Sequence, residues 1–378
     1  MNVRARPTVL FVVPCGDYLP SGTVRVRQFL PFLDRLGIGH TVLSYFSPNV
    51  DRFDAFVRAG GSPRAILPVL LAGVAAARLA YKWWTRMRIL WLAPRADLVF
   101  LQGVLPPVWY TRALMRRNAH TVLDLDDAIF LGNPGRGKSV MTLVWQVIAG
   151  SHFIFDYAQA LTPRVALVPS CVSLDRYDGV DAPRRDPTRS VIRIGWLGSL
   201  STVKYLRHLV EPLRQLAAEG HEIELMVDGA GTQAGCLPDF PGINVTVTPS
   251  YRDQDIPSLV SRYDIGVMPL DDGPWERAKC AMKALIYMAA GKPALCSRVG
   301  ENPYVIEDGV NGFLAESETE WTAKLRALIS DPQLRADMGR RGRKTVEERY
   351  SSLICFTLLH KHVFSRVGSN RVSAGTVN

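Results

Sequence analysis

Short, densely apolar runs alternate along this chain with longer segments whose apolar residues recur three or four positions apart. The first pattern reads as buried strands and the second as helices packed on one face. Pro7 to Val13 predicts a first strand, followed by a turn-rich loop from Pro14 to Gly22. A helix is expected over Thr23–Leu36, with Val26, Phe29, Leu30 and Leu33 on one face, and Gly37–Gly39 ends it before a strand at His40–Phe46. The same alternation continues with strands at Ala96–Leu101, His120–Leu125 and Ala166–Pro169, and helices at Pro107–Arg117 and Val140–Ala149, with a glycine loop over Gly132–Gly137. Asp181–Ser190 is polar and carries two prolines, which suits a linker. The pattern then restarts. Strands are expected at Val191–Trp196, Ile223–Val227, Val245–Val247, Asp264–Pro269 and Ala294–Ser297. Helices are expected from Val203, with Pro212 marking a kink, and over Ile256–Arg262, Lys279–Pro293, Trp321–Ser330, Pro332–Arg349 and Leu353–Phe364. The class is α/β, in two halves: residues 1–180, a linker at 181–190, residues 191–350, a further helix at 351–364 and a loose tail at 365–378.

The Lys279–Pro293 segment stands out. Gly291 supplies a left-handed helix stop and Pro293 bars continuation. Helical spacing places Lys279, Met282, Lys283 and Ile286 on one stripe, so two lysines face the same way near the helix N-terminus, where amides and dipole favour an anion. The pattern fits a phosphate site, and equally a solvated basic face. Other small-residue turns follow strands in the same half. They are Leu197-Gly198-Ser199 and Asp228-Gly-Ala-Gly231, each able to seat a phosphate on backbone amides.

Charge changes the picture of the first half. Residues 1–185 hold 22 Lys and Arg against 12 Asp and Glu, whereas the remainder holds 23 of each. The whole net charge of +10 therefore lies in the first half, which points to an anionic partner. Between Asp54 and Asp97 there is no acidic residue, while Arg58, Arg64, Arg78, Lys82, Arg86, Arg88 and Arg95 all fall there. Ala65–Ala77 is almost wholly apolar and Tyr81, Trp83, Trp84 and Trp91 follow it. That run is shorter than the roughly 20 residues of a membrane span. It fits either a basic interfacial helix on an anionic membrane surface or a buried helix followed by a solvated one.

Asp124-Leu-Asp126-Asp127 places three carboxylates at the end of a strand. Asp124 and Asp126 share one side of it and Asp127 opens the turn. The cluster is a candidate for catalysis, or a turn with a helix cap. Six cysteines are scattered without a CxxC pair or zinc spacing, which suits reduced thiols in a cytosolic protein. As a paired-acid metal site the aspartate cluster lacks a third element, and no nucleic-acid-binding module accompanies the positive charge.

The second half resembles the donor domain of GT-B retaining glycosyltransferases of family 4. The resemblance rests on an ordered set: Gly195-Trp-Leu-Gly-Ser199, Tyr263-Asp-Ile-Gly-Val-Met-Pro-Leu270, Lys283-Ala-Leu-Ile-Tyr-Met-Ala-Ala-Gly-Lys-Pro293 and Ile306-Glu-Asp-Gly-Val-Asn-Gly-Phe-Leu314. The segment from Asp331-Pro to Tyr350-Ser is similar to the family's terminal helices. In the first half, Thr23-Val-Arg-Val-Arg-Gln-Phe-Leu and Val122–Phe130 look like a bacterial subgroup. The resemblance implies two Rossmann-like, doubly wound domains facing a central cleft. It implies a nucleotide-sugar donor, UDP- or GDP-linked, held by the second domain without a bound metal. It further implies a lipid-linked or glycan acceptor on the first domain, and work on the cytoplasmic face of a membrane. Residue by residue, Gly198, Ser199, Lys204, Asp228, Lys279, Lys283 and Ile286 fall at donor-side positions. Gly22 and Arg25 fall in an acceptor-side loop, and Asp126 and Asp127 fall beside the reacting sugar.

One departure bears on the donor. The family's E-x7-E pair would fall at Ala278 and Ile286. Isoleucine accepts no hydrogen bond, and a ribose contact left unmade costs about 1–3 kcal/mol. Glu276 or Glu301 would have to stand in, or the backbone would. The competing class is a GT-B-shaped binding or scaffolding subunit without donor chemistry. A sugar-nucleotide epimerase ranks below both.

Overall fold

The computed structural model of the protein describes residues 6–14, 20–46, 67–180, 191–231 and 237–366. The chain divides into two compact units, residues 1–168 with 356–378, and residues 169–355. The division falls at Val168/Pro169, ahead of the expected linker, and 181–190 lies outside the described residues. Segment 169–180 stays with the second unit, where the Val172 N–H donates to the Tyr350 carbonyl at 3.0 Å. The expected loose tail lies outside the described residues from 367 onward.

Among the described residues each unit is built on a six-stranded parallel sheet. In the first, strands β1 (Thr8–Val13), β2 (Gly39–Ser44), β3 (Leu98–Gln102), β4 (Thr121–Leu125), β5 (Gln146–Ala149) and β6 (Val165–Leu167) lie in the order β2-β1-β3-β4-β5-β6. In the second, β7 (Ile192–Leu197), β8 (Ile223–Asp228), β9 (Asn244–Thr248), β10 (Ile265–Met268), β11 (Ala294–Ser297) and β12 (Phe313–Ala315) lie in the order β12-β11-β10-β7-β8-β9. Parallel strands covered by helices on both faces are buried and read as near-continuous apolar runs. β3 and β4 are buried at every position, Gln102, Thr121 and Asp124 being their polar members.

Several segments differ from the pattern's prediction, among them the helix expected over Thr23–Leu36, which runs as Pro20–Arg25, Arg27–Phe29 and Leu30–Arg35. A helix spans Pro134–Leu143, and Gln146–Ala149 is a strand, where a glycine loop and then a helix are expected. Pro134 occupies the first helical position and the Asn133 side chain caps it by accepting from the Arg136 N–H at 3.0 Å. The run after it is too short to show its period, and pairing between β4 and β6 makes it a strand. The expected Lys279–Pro293 helix spans only Met282–Ala289. Lys279 is extended and Ala281 takes φ 55°, ψ 22°, so the helix cannot reach back to Lys279. The two lysines are therefore not on one helical stripe.

The first unit's core is aromatic. Phe11 of β1 and Phe100 of β3 meet with ring centroids 5.4 Å apart, and Phe364 lies 6.2–6.3 Å from both. Phe356 stacks on Phe32 at 4.9 Å and touches Phe29 at 6.0 Å. The segment that begins at Phe356 thus belongs to the core of the first sheet.

The second unit turns on two glycines. Gly195 of β7 and Gly266 of β10 are register partners. A Cβ on Gly195 would fall 2.1 Å from the Tyr263 ring, and one on Gly266 would fall 2.3 Å from the Tyr287 ring. Each ring lies where a side chain would otherwise stand. Pairing of β7 with β10 covers Ile194–Gly195 and Ile265–Gly266. Beyond it the Tyr287 hydroxyl accepts from the Leu197 N–H at 3.0 Å and donates to the Val267 carbonyl at 3.1 Å. One phenol thereby satisfies a buried donor on one strand and a buried acceptor on the other. Replacing Tyr287→Phe leaves both groups unpaired and should destabilise the second unit by about 1–3 kcal/mol. Urea unfolding should show a lower midpoint at unchanged slope.

Candidate active site

Ligands of open parallel sheets collect at the carboxyl ends of strands where the strand order reverses. In the second unit that point lies between β7, whose successors run to β8 and β9, and β10, whose successors run to β11 and β12. The turn after β7 carries Gly198 and Ser199. The Gly198 N–H donates to the Asp228 carbonyl at 2.9 Å, and its own carbonyl accepts from the Tyr251 hydroxyl at 3.0 Å. A Cβ at 198 would lie 2.2 Å from the Trp196 ring, and one at Gly229, whose φ is +95°, would lie 2.2 Å from the Gly198 carbonyl. Only glycines allow this close approach. The Ser199 hydroxyl lies 3.0 Å from that of Ser201.

The Met282–Ala289 helix starts beside this turn. The Lys283 ammonium lies 5.6 Å from the centre of the Trp196 ring, the ring that underlies Gly198. Ala281, at the N-cap, supplies no side-chain hydrogen bond to the helix. The helical ladder begins with the Leu285 N–H donating to the Ala281 carbonyl at 3.1 Å. The amides of Met282, Lys283 and Ala284 precede that ladder, at the positive end of the helix dipole. Alanine in the left-handed region costs about 1 kcal/mol, a strain typical of ligand sites. The carbonyls of Glu276 and Lys279 would meet a Cβ on Gly300 at 2.8–2.9 Å, and the Glu301 N–H donates to the Lys279 carbonyl at 2.9 Å. The backbone around Lys279 is therefore fixed, and its ammonium lies 5.3 Å from the Trp275 ring centre.

The remaining donor-side candidates have the following surroundings. The Asp228 carboxylate is buried and accepts from both Arg262, at 3.2 Å, and the Tyr263 hydroxyl. Its side chain serves the fold, and it is the Asp228 carbonyl that reaches the Gly198 turn. Lys204 is exposed and lies 4.9 Å from the ring of its neighbour Tyr205. Ile286 is buried in the apolar cluster with Leu197, Leu270 and Ile306. Glu276 is nearly buried and accepts from the Tyr205 hydroxyl.

In the first unit the three aspartates separate. Asp124 lies inside β4, fully buried, and forms a two-pronged ion pair with Arg25 at 2.5 and 3.0 Å. Arg25 also donates to the Val168 carbonyl at 2.8 Å and is itself 2% exposed. Arg25 is therefore a buried cation paired within the first unit, and Gly22, also buried, accepts from the Val26 N–H in the same helical turn. Burial pushes the Asp124 carboxyl up and Arg25 pulls it back.

Asp126 lies just past β4 and accepts from the Gln102 amide at the end of β3, at 3.1 Å. Burial, then the charges of Asp127 and Asp124, push its carboxyl up to about 7 against the opposing pull of Arg25. The Gln102 Oε1 is buried with no hydrogen-bond partner among the described residues. Asp127 follows, half-buried. Among the described residues no group of three or more His, Cys, Asp or Glu side chains could hold a metal ion. Gln102, Trp196 and Tyr287 carry no spacing signal, and the sequence pattern does not single them out.

Residues 191–331 match the family described as glycosyl transferases group 1. Among curated proteins, the spore coat protein SA of Bacillus subtilis is 30% identical over 250 residues, 57% of this chain and 63% of that protein. The capsular polysaccharide biosynthesis glycosyltransferase CapM of Staphylococcus aureus is 23% identical over 168 residues, 43% of each chain. This chain spans less than two thirds of the length of either relative. Among solved structures, a glycosyltransferase from Rickettsia africae superposes with a TM-score of 0.69 at 15% identity, covering 96% of this chain and 99% of that one. HepE of Anabaena, solved with UDP and glucose, superposes with a TM-score of 0.65 at 14% identity, covering 94% and 99%. At these identities the structural likeness is one of fold. The two parallel sheets are those of the GT-B fold, and residues 191–331 are similar to the glycosyl transferases group 1 family.

Proposed function

We propose that this chain is a glycosyltransferase that moves a sugar from a nucleotide-sugar, UDP- or GDP-linked, to a lipid-linked or glycan acceptor with retention of anomeric configuration. The observation that carries the reading is the Met282–Ala289 helix, which has no side-chain cap at Ala281 and begins at the β7/β10 switch point with Lys283 over the ring beneath Gly198. Breaking the bond between sugar and diphosphate builds negative charge on the leaving phosphate oxygen. Fixed amides and an ammonium aimed at that charge stabilise it without reorganising, and need no bound metal. The HepE structures with UDP and with UDP-glucose support a diphosphate donor. The names of two relatives, a spore coat protein and a capsular polysaccharide biosynthesis glycosyltransferase, support a surface-glycan acceptor. Asp126, beside the unpartnered Gln102 Oε1, is assigned the contact with the sugar or the acceptor hydroxyl, with Asp127 next to it.

A second reading has one observation in its favour. Ile286 is packed in apolar surroundings, so its position holds no ribose acceptor. A scaffolding subunit without donor binding would show no nucleotide-dependent stability. Thermal unfolding against UDP, GDP, ADP, CMP and their common sugars separates the two. A ligand at about 100 times its dissociation constant adds roughly 2.7 kcal/mol, several degrees in midpoint. One nucleotide class shifting the midpoint supports the transferase; none shifting it at millimolar concentration supports the scaffold.

Lys283→Ala should weaken binding of the preferred nucleoside diphosphate by roughly 10- to 100-fold, the range of a charge-assisted contact. The corresponding nucleoside should bind nearly as before, and calorimetry with both ligands checks it. Equal loss for both would place Lys283 away from the phosphates.

Asp126 sets a pH dependence. Its folded carboxyl titrates near 7 and its unfolded one near the ordinary 3.8. Between those values the folded state holds the extra proton, so the stability this group allows falls as pH rises through the window. Asp126→Asn removes that loss. The variant should gain stability relative to the parent at pH 8, by at most about 4 kcal/mol, and the gain should vanish near pH 4. Its transfer rate should fall by roughly 100-fold or more. A stability difference that does not change with pH would contradict the assignment.

A further inference from the structure

The Leu67–Leu92 helix is apolar on two opposite faces. Val74, Thr85 and Ile89 are buried against the first unit, and Ala93 continues their row. On the opposite side Leu79, Trp83, Trp84, Met87 and Trp91 are between 47% and 59% exposed. Helical spacing puts Leu79, Trp83, Met87 and Trp91 on one stripe, with Ala72, Ala76 and Ala80 on its upper turns, also exposed or half-buried. The stripe continues onto the Val108–Arg117 helix, whose Trp109 is 53% exposed with its ring centre 6.0 Å from that of Trp83. An exposed apolar surface of this extent marks an interaction site.

The charges around it have one sign. Arg88 lies 5.2 Å from the Trp84 ring centre and Arg95 lies 3.9 Å from the Trp91 ring centre. Arg112 and Arg116 are exposed at helical spacing from Trp109. No acidic residue occurs between Asp97 and Asp124, or in 55–96. Lys82 and Arg86 turn the other way. Arg86 donates to the Tyr45 hydroxyl at 2.9 Å, and Lys82 lies 5.3 Å from the Phe46 ring centre. The rim is therefore Arg88, Arg95, Arg112 and Arg116, which differs from the set that the sequence alone suggests.

We propose that this face docks on an anionic phospholipid surface, with the four tryptophans seated at headgroup level and the four arginines among the phosphates. Tryptophan combines a large apolar body with one polar N–H, which suits the interface between headgroups and chains. Arginines beside the rings reach phosphate while their stems cover apolar surface. The helix lies in the plane of the surface: among the described residues no helix is long and apolar enough to cross a membrane. A second copy of this chain would set the same four arginines against each other, whereas anionic lipid supplies the opposite charge. The docking does not depend on the transferase reading, because it uses none of the residues assigned to donor or acceptor.

The test is co-sedimentation of the full chain with phosphatidylcholine vesicles, with and without phosphatidylglycerol, alongside sedimentation velocity of the protein alone. The expected result is binding to the phosphatidylglycerol vesicles, weakened by salt, with a blue shift of tryptophan emission. Trp83→Ala/Trp84→Ala/Trp91→Ala should weaken it on the order of tenfold or more, and Arg88→Glu/Arg112→Glu should do the same. Both variants change exposed side chains, and unchanged unfolding midpoints check that they fold. Three outcomes would overturn the proposal: no binding to anionic vesicles, binding that neither variant weakens, or a vesicle-free dimer that the tryptophan variant dissociates.

Discussion

The second unit depends on a single phenol placed where two strands part. β7 and β10 can stay close only because glycines stand opposite each other in register and tyrosine rings fill the space above them. Past those glycines the strands diverge and their backbone groups lose each other. The Tyr287 hydroxyl takes up one orphaned group from each strand. A buried unpaired amide or carbonyl is costly, so this join holds the opening at a fixed width. Tyr287 also lies on the helix whose first amides face that opening. The group that fixes the crevice and the group that lines it are thus parts of one short helix, and ligand geometry is inherited from the sheet.

In the first unit the governing constraint is electrostatic. β4 carries an acidic residue in mid-sheet, where a lone carboxylate would be expensive. Arg25 meets it with a planar fork, and spends its remaining reach on the Val168 carbonyl. Removing one partner of such a pair leaves the other buried and unpaired, which is more damaging than never having had either. The pair also leaves Asp126, two residues on, as the acid of the cluster whose proton is held into the neutral range.

The fold was legible because parallel strands buried on both faces are continuous apolar runs, and the αβ alternation leaves few other architectures. The places where legibility ended have definite causes. Gln146–Ala149 has four residues, too few to show a period, and its pairing partners decide it. Lys279 fits a helical stripe in sequence, but Ala281 adopts a left-handed backbone that no propensity foretells. At the site, Gly198 and Lys283 could be picked out by their context in a strand–turn–helix pattern. Gln102 and Trp196 could not, because their importance lies in contacts with other elements, at Asp126 and Lys283. Arg25 and Asp228 are the converse: polar residues at suggestive places whose charges are consumed within the fold.

The return of the chain at Phe356 has a consequence for biogenesis. Phe356 and Phe364 complete an aromatic core whose other members, Phe11, Phe29 and Phe100, are made hundreds of residues earlier. On the ribosome those rings emerge and wait, uncovered, while all of the second sheet is translated. The second unit can finish folding before the first one can close. The unit synthesised first is therefore matured last, and its nascent form is the stage most in need of a chaperone.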